Sequence, residues 1–223
     1  MNKIEVDSLK RVKLKVEIWA DVVCPWCYIG KRRFEQALSQ FGHSKDIEVE
    51  WRSYQLRPDS NPEPGKSIYK SLAEKKGWTL EYSKQVHEHV ATIANEVGLT
   101  YNFDKVLVAN TFDAHRLLQM ARKKGVGENA EELMFKAYFT DGKNIADHQT
   151  LIQLGTQLGL ISDEISEMLA GTEYSEEVLH DAYEARQIGI QGVPFFLINE
   201  KYAISGAQQP EMFLNVLRKA WSV

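Results

Sequence analysis

The only two cysteines of the 223-residue chain, Cys24 and Cys27, stand three positions apart in the stretch DVVCPWCYIGKRRF, around Pro25 and Trp26. Paired sulfurs at that spacing can brace a fold, hold a metal or exchange disulfides. A bridge between them would close a loop of only four residues. The entropic benefit of a bridge grows with loop length, so this one would restrain almost nothing. Zinc needs two further ligands, which here must be histidine or carboxylate. His87 and His89 are two apart in a predicted helix and point to nearly opposite sides, and His89, on the apolar stripe, reads as a core histidine. None of the six histidines has a partner at H-x₃₋₅-H spacing. A reactive dithiol fits better. At a helix N-terminus, unpaired N–H groups and the positive end of the helix dipole favour thiolate over thiol. Cys24 falls at such a turn, and Pro25, with no N–H to leave unpaired, suits the first helical position. In this reading Cys24 is an exposed, ionised nucleophile. Cys27, one turn inside the helix, is the shielded thiol that resolves a mixed disulfide.

The elements that must hold this pair are legible on both sides of it. Residues 13–20 alternate, with Leu14, Val16 and Ile18 apolar between Lys13, Lys15 and Glu17, which predicts a strand. From Cys27 the period becomes helical, with Gly30, Phe34, Ala37, Leu38 and Phe41 on one face and Gly42 as a stop. Lys31, Arg32 and Arg33 read as part of its polar face. Ile47, Val49 and Trp51 mark a second strand, so the chain opens as a βαβ unit with parallel strands. The proline-rich segment 57–65 reads as a loop leaving that unit. More than a hundred residues of helical periodicity follow, with no fixed repeat and with helix starts predicted at Asp147, Ser162 and Ser175. After Gly192, Phe195–Ile198 and Tyr202–Ser205 predict a hairpin and Pro210–Trp221 a last amphipathic helix. A Cys-x-x-Cys beside a βαβ pattern is the mark of a thioredoxin-like redox motif.

Composition closes off other classes. With 27 basic and 31 acidic residues and a net charge of −4, no basic face stands ready for nucleic acid. The longest apolar run, residues 193–198, is far too short to cross a bilayer, so no membrane role is expected. The first thirteen residues are rich in charge and show no apolar signal region, which predicts a cytoplasmic protein.

Cys24-Pro25-Trp26-Cys27-Tyr28 near the start and Gly192-Val193-Pro194-Phe195-Phe196 near the end resemble the DsbA-like thioredoxin superfamily. Within it, residues 21–38 together with Asn110-Thr111-Phe112-Asp113-Ala114-His115-Arg116-Leu117 look like the FrnE branch, related to 2-hydroxychromene-2-carboxylate isomerase. The resemblance implies an α/β thioredoxin-like fold (βαβ…ββα) with a large α-helical insertion. It implies a discontinuous thioredoxin-like domain over 13–65 and 187–223, with an α-helical domain over 66–186. It also implies a cis Val193–Pro194 bond beside the cysteines, turning the Val193 backbone toward an incoming substrate strand.

Several supporting residues are expected on the same basis. Thioredoxin-like proteins use a buried acid on the strand before the motif to move the second cysteine's proton, and Glu17 is the candidate. Its alternative is a solvated strand residue beside Lys13 and Lys15. Asn110 caps the following helix with Asp113 three positions on, or with His115 contacts substrate or glutathione. Trp26 sets the apolar character of the groove. The predicted activity is protein thiol–disulfide exchange with protein or small-molecule thiols and disulfides as partners. It needs no cofactor or metal, and glutathione stands as a candidate redox partner. Two alternatives stay open: a glutathione-dependent isomerase or transferase, and a chaperone-like binding protein.

Overall fold

The computed structural model describes residues 13–60 and 66–222. The start of the chain, residues 1–12, and part of the predicted 57–65 loop therefore lie outside the described residues. Strand β1, Leu14–Ala20, runs into helix α1, Pro25–Gln40, and a single 3₁₀ turn leads to β2, Ile47–Ser53. Seven helices follow: α2 Ile68–Lys76, α3 Leu80–Glu96, α4 Phe112–Lys123, α5 Ala130–Phe139, α6 His148–Gln157, α7 Ser162–Ala170 and α8 Ser175–Gln187. The chain then returns through β3, Phe195–Ile198, and β4, Tyr202–Ser205, to α9, Pro210–Trp221. The sheet order is β2-β1-β3-β4, with β1 parallel to β2 and antiparallel to β3. This is the thioredoxin-like arrangement, with the helical segment placed between β2 and β3.

The period of two along β1 sends Leu14, Val16 and Ile18 to one face, where they meet Phe34 of α1, Phe41 just after it, and Phe213 and Leu217 of α9. Glu17 and Trp19 face the other way and are buried as well, because α8 covers that side and the Trp19 indole donates to the Asp181 carbonyl at 3.1 Å. Both faces of the sheet are thus covered near its centre. The second core joins the first turn of α1 to α3–α7, with Tyr28 stacked on Phe135 at 5.0 Å between centroids. Gly30 is needed where α1 passes the β3 end: a Cβ there would lie 2.9 Å from Pro194 Cγ.

Helix starts differ in detail from the sequence pattern. Asp147 does cap α6, its carboxylate accepting from Thr150 N at 2.8 Å. Ser162 and Ser175 are instead the first helical residues, after Ile161 and Tyr174, and neither preceding residue supplies a side-chain cap. The basic run on α1 is more than a solvated face. Lys31 and Arg33 are buried; Lys31 and Arg32 pair with Glu132 of α5, and Arg33 donates to the Ala207 carbonyl at 2.6 Å. These cations tie α1 to its neighbours. The histidine reading is also corrected: His87 is the buried one, bonded to the Ser83 carbonyl at 2.7 Å, and His89 is exposed.

Candidate active site

Cys24 is the N-cap residue of α1, with extended backbone, and Pro25 takes the first helical position. Its backbone N–H is held by the Asp21 carbonyl at 2.9 Å, and Tyr101 Oη donates to the Pro25 carbonyl at 2.7 Å. The turn is therefore pinned from both the strand side and the helical side. Cys24 Sγ donates to the Val193 carbonyl at 3.5 Å, and the Val193–Pro194 peptide bond is cis. The two ends of the sequence motif, 169 residues apart, meet at this contact. Both cysteines are reduced.

Burial corrects one expectation. Cys24 was predicted to be exposed, yet only 4% of it reaches solvent, because the Val193–Pro194 turn packs against it. Cys27 is fully buried. Desolvation pushes the Cys27 thiol well up, and the hydrogen bond to Cys24 and the Cys24 charge add to this; a backbone hydrogen bond from Asp21 opposes them in part. Cys27 is therefore the thiol that stays protonated at rest. Trp26, 37% exposed, forms the rim.

The buried acid beside the pair is not the one the sequence reading selected. Glu17 is buried on β1, but its carboxylate accepts from the Arg52 side chain at 3.1 Å and from Lys15 at 3.3 Å. Arg52 in turn reaches Asp181 at 3.1 Å. Glu17 belongs to an ion-pair network under α8, and the electrostatic neighbours of Cys27 are Cys24 and Asp21. Asp21 is fully buried; one oxygen accepts from Leu56 N at 2.7 Å and the other lies 3.4 Å from His115 Nε2. A signal for it did exist, since Asp21 is the one acid in the otherwise apolar run between Ile18 and Cys24.

His115 thus enters the site from α4, through Asp21. Asn110 serves a different purpose, and α4 starts after Thr111, one residue later than the capping reading placed it. The Asn110 carbonyl oxygen accepts from Phe112 N at 2.9 Å, and its amide donates to Pro58 and Ser60 carbonyls at 3.1 and 3.0 Å. It fastens the segment after β2 to the start of α4. Next to Pro25 lies a mainly apolar cavity of about 180 Å³, bordered by Val23, Leu56, Phe103 and Tyr138, with Arg57 and His87 as its charged or titratable members. Among the described residues, the side chains close enough to share a metal are His180, Asp181 and Glu184, and Asp181 is already bonded to Arg52, Ser53 N and Gln119.

The sequence matches the DSBA-like thioredoxin domain over residues 15–218. The chain belongs to the DsbA-like thioredoxin family. The family's similarity extends to a crystal structure of a probable DsbA oxidoreductase from Streptomyces coelicolor, 36% identical, with a TM-score of 0.89 over 94% of this chain and 90% of that one. A curated relative, the uncharacterized protein YwbO of Bacillus subtilis, is 28% identical over 202 residues, 89% of this chain and 92% of its own. The cytosolic disulfide reductase DsbM of Pseudomonas aeruginosa, solved with GSH, shares the DsbA-like fold at 16% identity, with a TM-score of 0.65 over 94% of this chain and all of its own. No described helix is long and apolar enough to cross a membrane.

Proposed function

We propose that this DsbA-like chain is a thiol–disulfide oxidoreductase acting through Cys24 and Cys27. The observation that carries this reading is the N-cap Cys24 sulfur against the Val193 carbonyl at the cis-Pro194 turn, with the Cys27 thiol hydrogen-bonded behind it. In the reducing direction, the Cys24 thiolate attacks one sulfur of a disulfide and expels the other as a thiolate. Cys27, once deprotonated, attacks the Cys24 sulfur and expels the second substrate thiolate. Two electrons leave the pair, which ends as a Cys24–Cys27 disulfide, and the two substrate thiolates take up the protons that the cysteines lost. The narrow approach to Cys24 favours small or extended disulfides over those on a folded surface.

We infer a cytoplasmic setting with glutathione as the redox partner, in line with the fold shared with the cytosolic reductase DsbM, solved with GSH. The 180 Å³ apolar cavity bordered by Val23 and Pro25, the residues flanking Cys24, supports a second reading, a glutathione-dependent isomerase, since it offers room for a small organic substrate. Insulin reduction with dithiothreitol separates the two. Wild type accelerates it, and Cys24→Ser falls to the uncatalysed rate, a loss of at least 10²-fold. Full activity in Cys24→Ser would exclude the oxidoreductase reading, and glutathione-dependent turnover of a chromene carboxylate would favour the isomerase.

A further inference from the structure

In the exchange reaction proposed above, Cys27 has to lose a proton before it can displace a substrate from Cys24, yet its sulfur has no solvent contact. That proton must cross protein. The groups on one side of Cys27 form a route outward. The Asp21 backbone N–H bonds the thiol, and the Asp21 carboxylate, whose charge acts on that thiol, faces His115 Nε2 at 3.4 Å. His115 borders a cavity of about 20 Å³, which it shares with Arg52, Ser53, Gln119, Arg122 and Glu131. That volume accommodates one water molecule, and the polar lining supplies the two to four partners a buried water requires. On the far side stands Glu131 of α5, 9% exposed. Its Oε2 is buried without any hydrogen-bond partner. A buried polar atom left unpaired is rare and asks for a use. The same side chain also borders a wider pocket of about 320 Å³ with Val49, Trp51, Arg122 and Gly127, so it touches both the small cavity and a second opening.

We propose that Asp21, His115 and Glu131, linked through the small cavity, form a proton path that carries the Cys27 proton to the surface when Cys27 attacks the mixed disulfide. The proton passes from sulfur to the Asp21–His115 pair, across the cavity to Glu131 Oε2, and from Glu131 to solvent; the departing substrate thiolate regains one from bulk water. Glu131 is suited to the last transfer. Burial raises its carboxyl to about 7, against the lowering effect of its own backbone N–H, Lys31 and Arg122. A group that titrates near the working pH can both accept and release a proton. The charged and titratable groups around it are Lys31 from α1, Arg122 and His115 from α4, and Arg52 from β2.

The reduced protein can be mixed with a symmetrical aromatic disulfide whose released thiolate is coloured. Attack by Cys24 releases a first equivalent, and resolution by Cys27 releases a second, so the two steps appear as separate phases. In Glu131→Gln the second phase should slow about tenfold and lose its pH dependence around neutrality, with the first phase unchanged. Glu131→Asp, which keeps a carboxylate, should restore that pH dependence. A Glu131→Gln protein with the wild-type second phase and the wild-type pH profile would overturn the path. Absence of a second phase in the wild type is a different outcome: it would remove the oxidoreductase reading itself, and the path with it.

Discussion

Two clusters of buried charge adjoin one another, with Arg52, Ser53 and Gln119 at their border, and they are built on different terms. Under α8, Glu17, Arg52 and Asp181 satisfy one another, Asp181 also accepts from Ser53 N and Gln119, and Glu184 Oε2, although without a hydrogen bond, lies 3.5 Å from the Arg52 cation. Around the cysteines, Asp21 has one backbone donor and a histidine at 3.4 Å, and Glu131 keeps an oxygen with no partner. Pairing with a shared cation holds charge still and stabilises the fold. Incomplete pairing leaves groups able to change protonation, and such groups concentrate at functional sites. The same sequence segment, β1 and the turn after it, contributes an acid to each cluster four residues apart.

The comparison can be broken most directly at Arg52. Arg52→Leu removes the shared partner of two buried carboxylates, and breaking a buried pair costs about 3–5 kcal/mol. Urea unfolding should show a loss of that size, with the first phase of the exchange reaction unchanged in the protein that remains folded. A loss below about 1 kcal/mol would mean the network is no more than a surface pair. At Asp21 the expectation reverses. Asp21→Asn should slow the second exchange phase by about 10²-fold with little change in stability, whereas Glu17→Gln leaves that phase within twofold of wild type. If the two substitutions behave alike, the assignment of separate tasks to the two acids fails.

The smallest effect is a pH dependence of stability from Glu131. Its folded carboxyl titrates at about 7 instead of about 4.5, so folding favours the protonated form. The stabilisation is fully present below about 4.5 and is lost as pH rises through about 7, a change of about 3 kcal/mol. Comparison of wild type and Glu131→Gln by urea unfolding between pH 5 and 8 isolates it. The variant should lack this component, and identical pH curves would place Glu131 in contact with solvent.

Much of this arrangement was legible along the chain. The alternation of Leu14, Val16 and Ile18, the helical stripe ending at Phe41 and the strand pair at Phe195–Ile198 and Tyr202–Ser205 all form where their periods place them. The cysteine spacing and the Val193-Pro194 pair marked the site, and the two do meet. The readings that failed concern neighbours distant in sequence. Glu17 is an acid on the strand before the motif, but its surroundings are supplied by Arg52, 35 residues on, and by α8. Lys31 and Arg33 satisfy a helical polar face, yet Glu132 and the chain before α9 draw them inward.

By itself, then, the order of residues determined the local elements, the N-cap position of Cys24 and the spacing of the cysteine pair, because periodicity, capping and turn chemistry act over a few residues. Only the tertiary structure decided that Cys24 is nearly covered, that Asp21 and not Glu17 attends Cys27, and that His115 and Glu131 border one small cavity. Those facts depend on burial and on partners up to 169 positions away, and the free energy of a charge is set by what surrounds it in space.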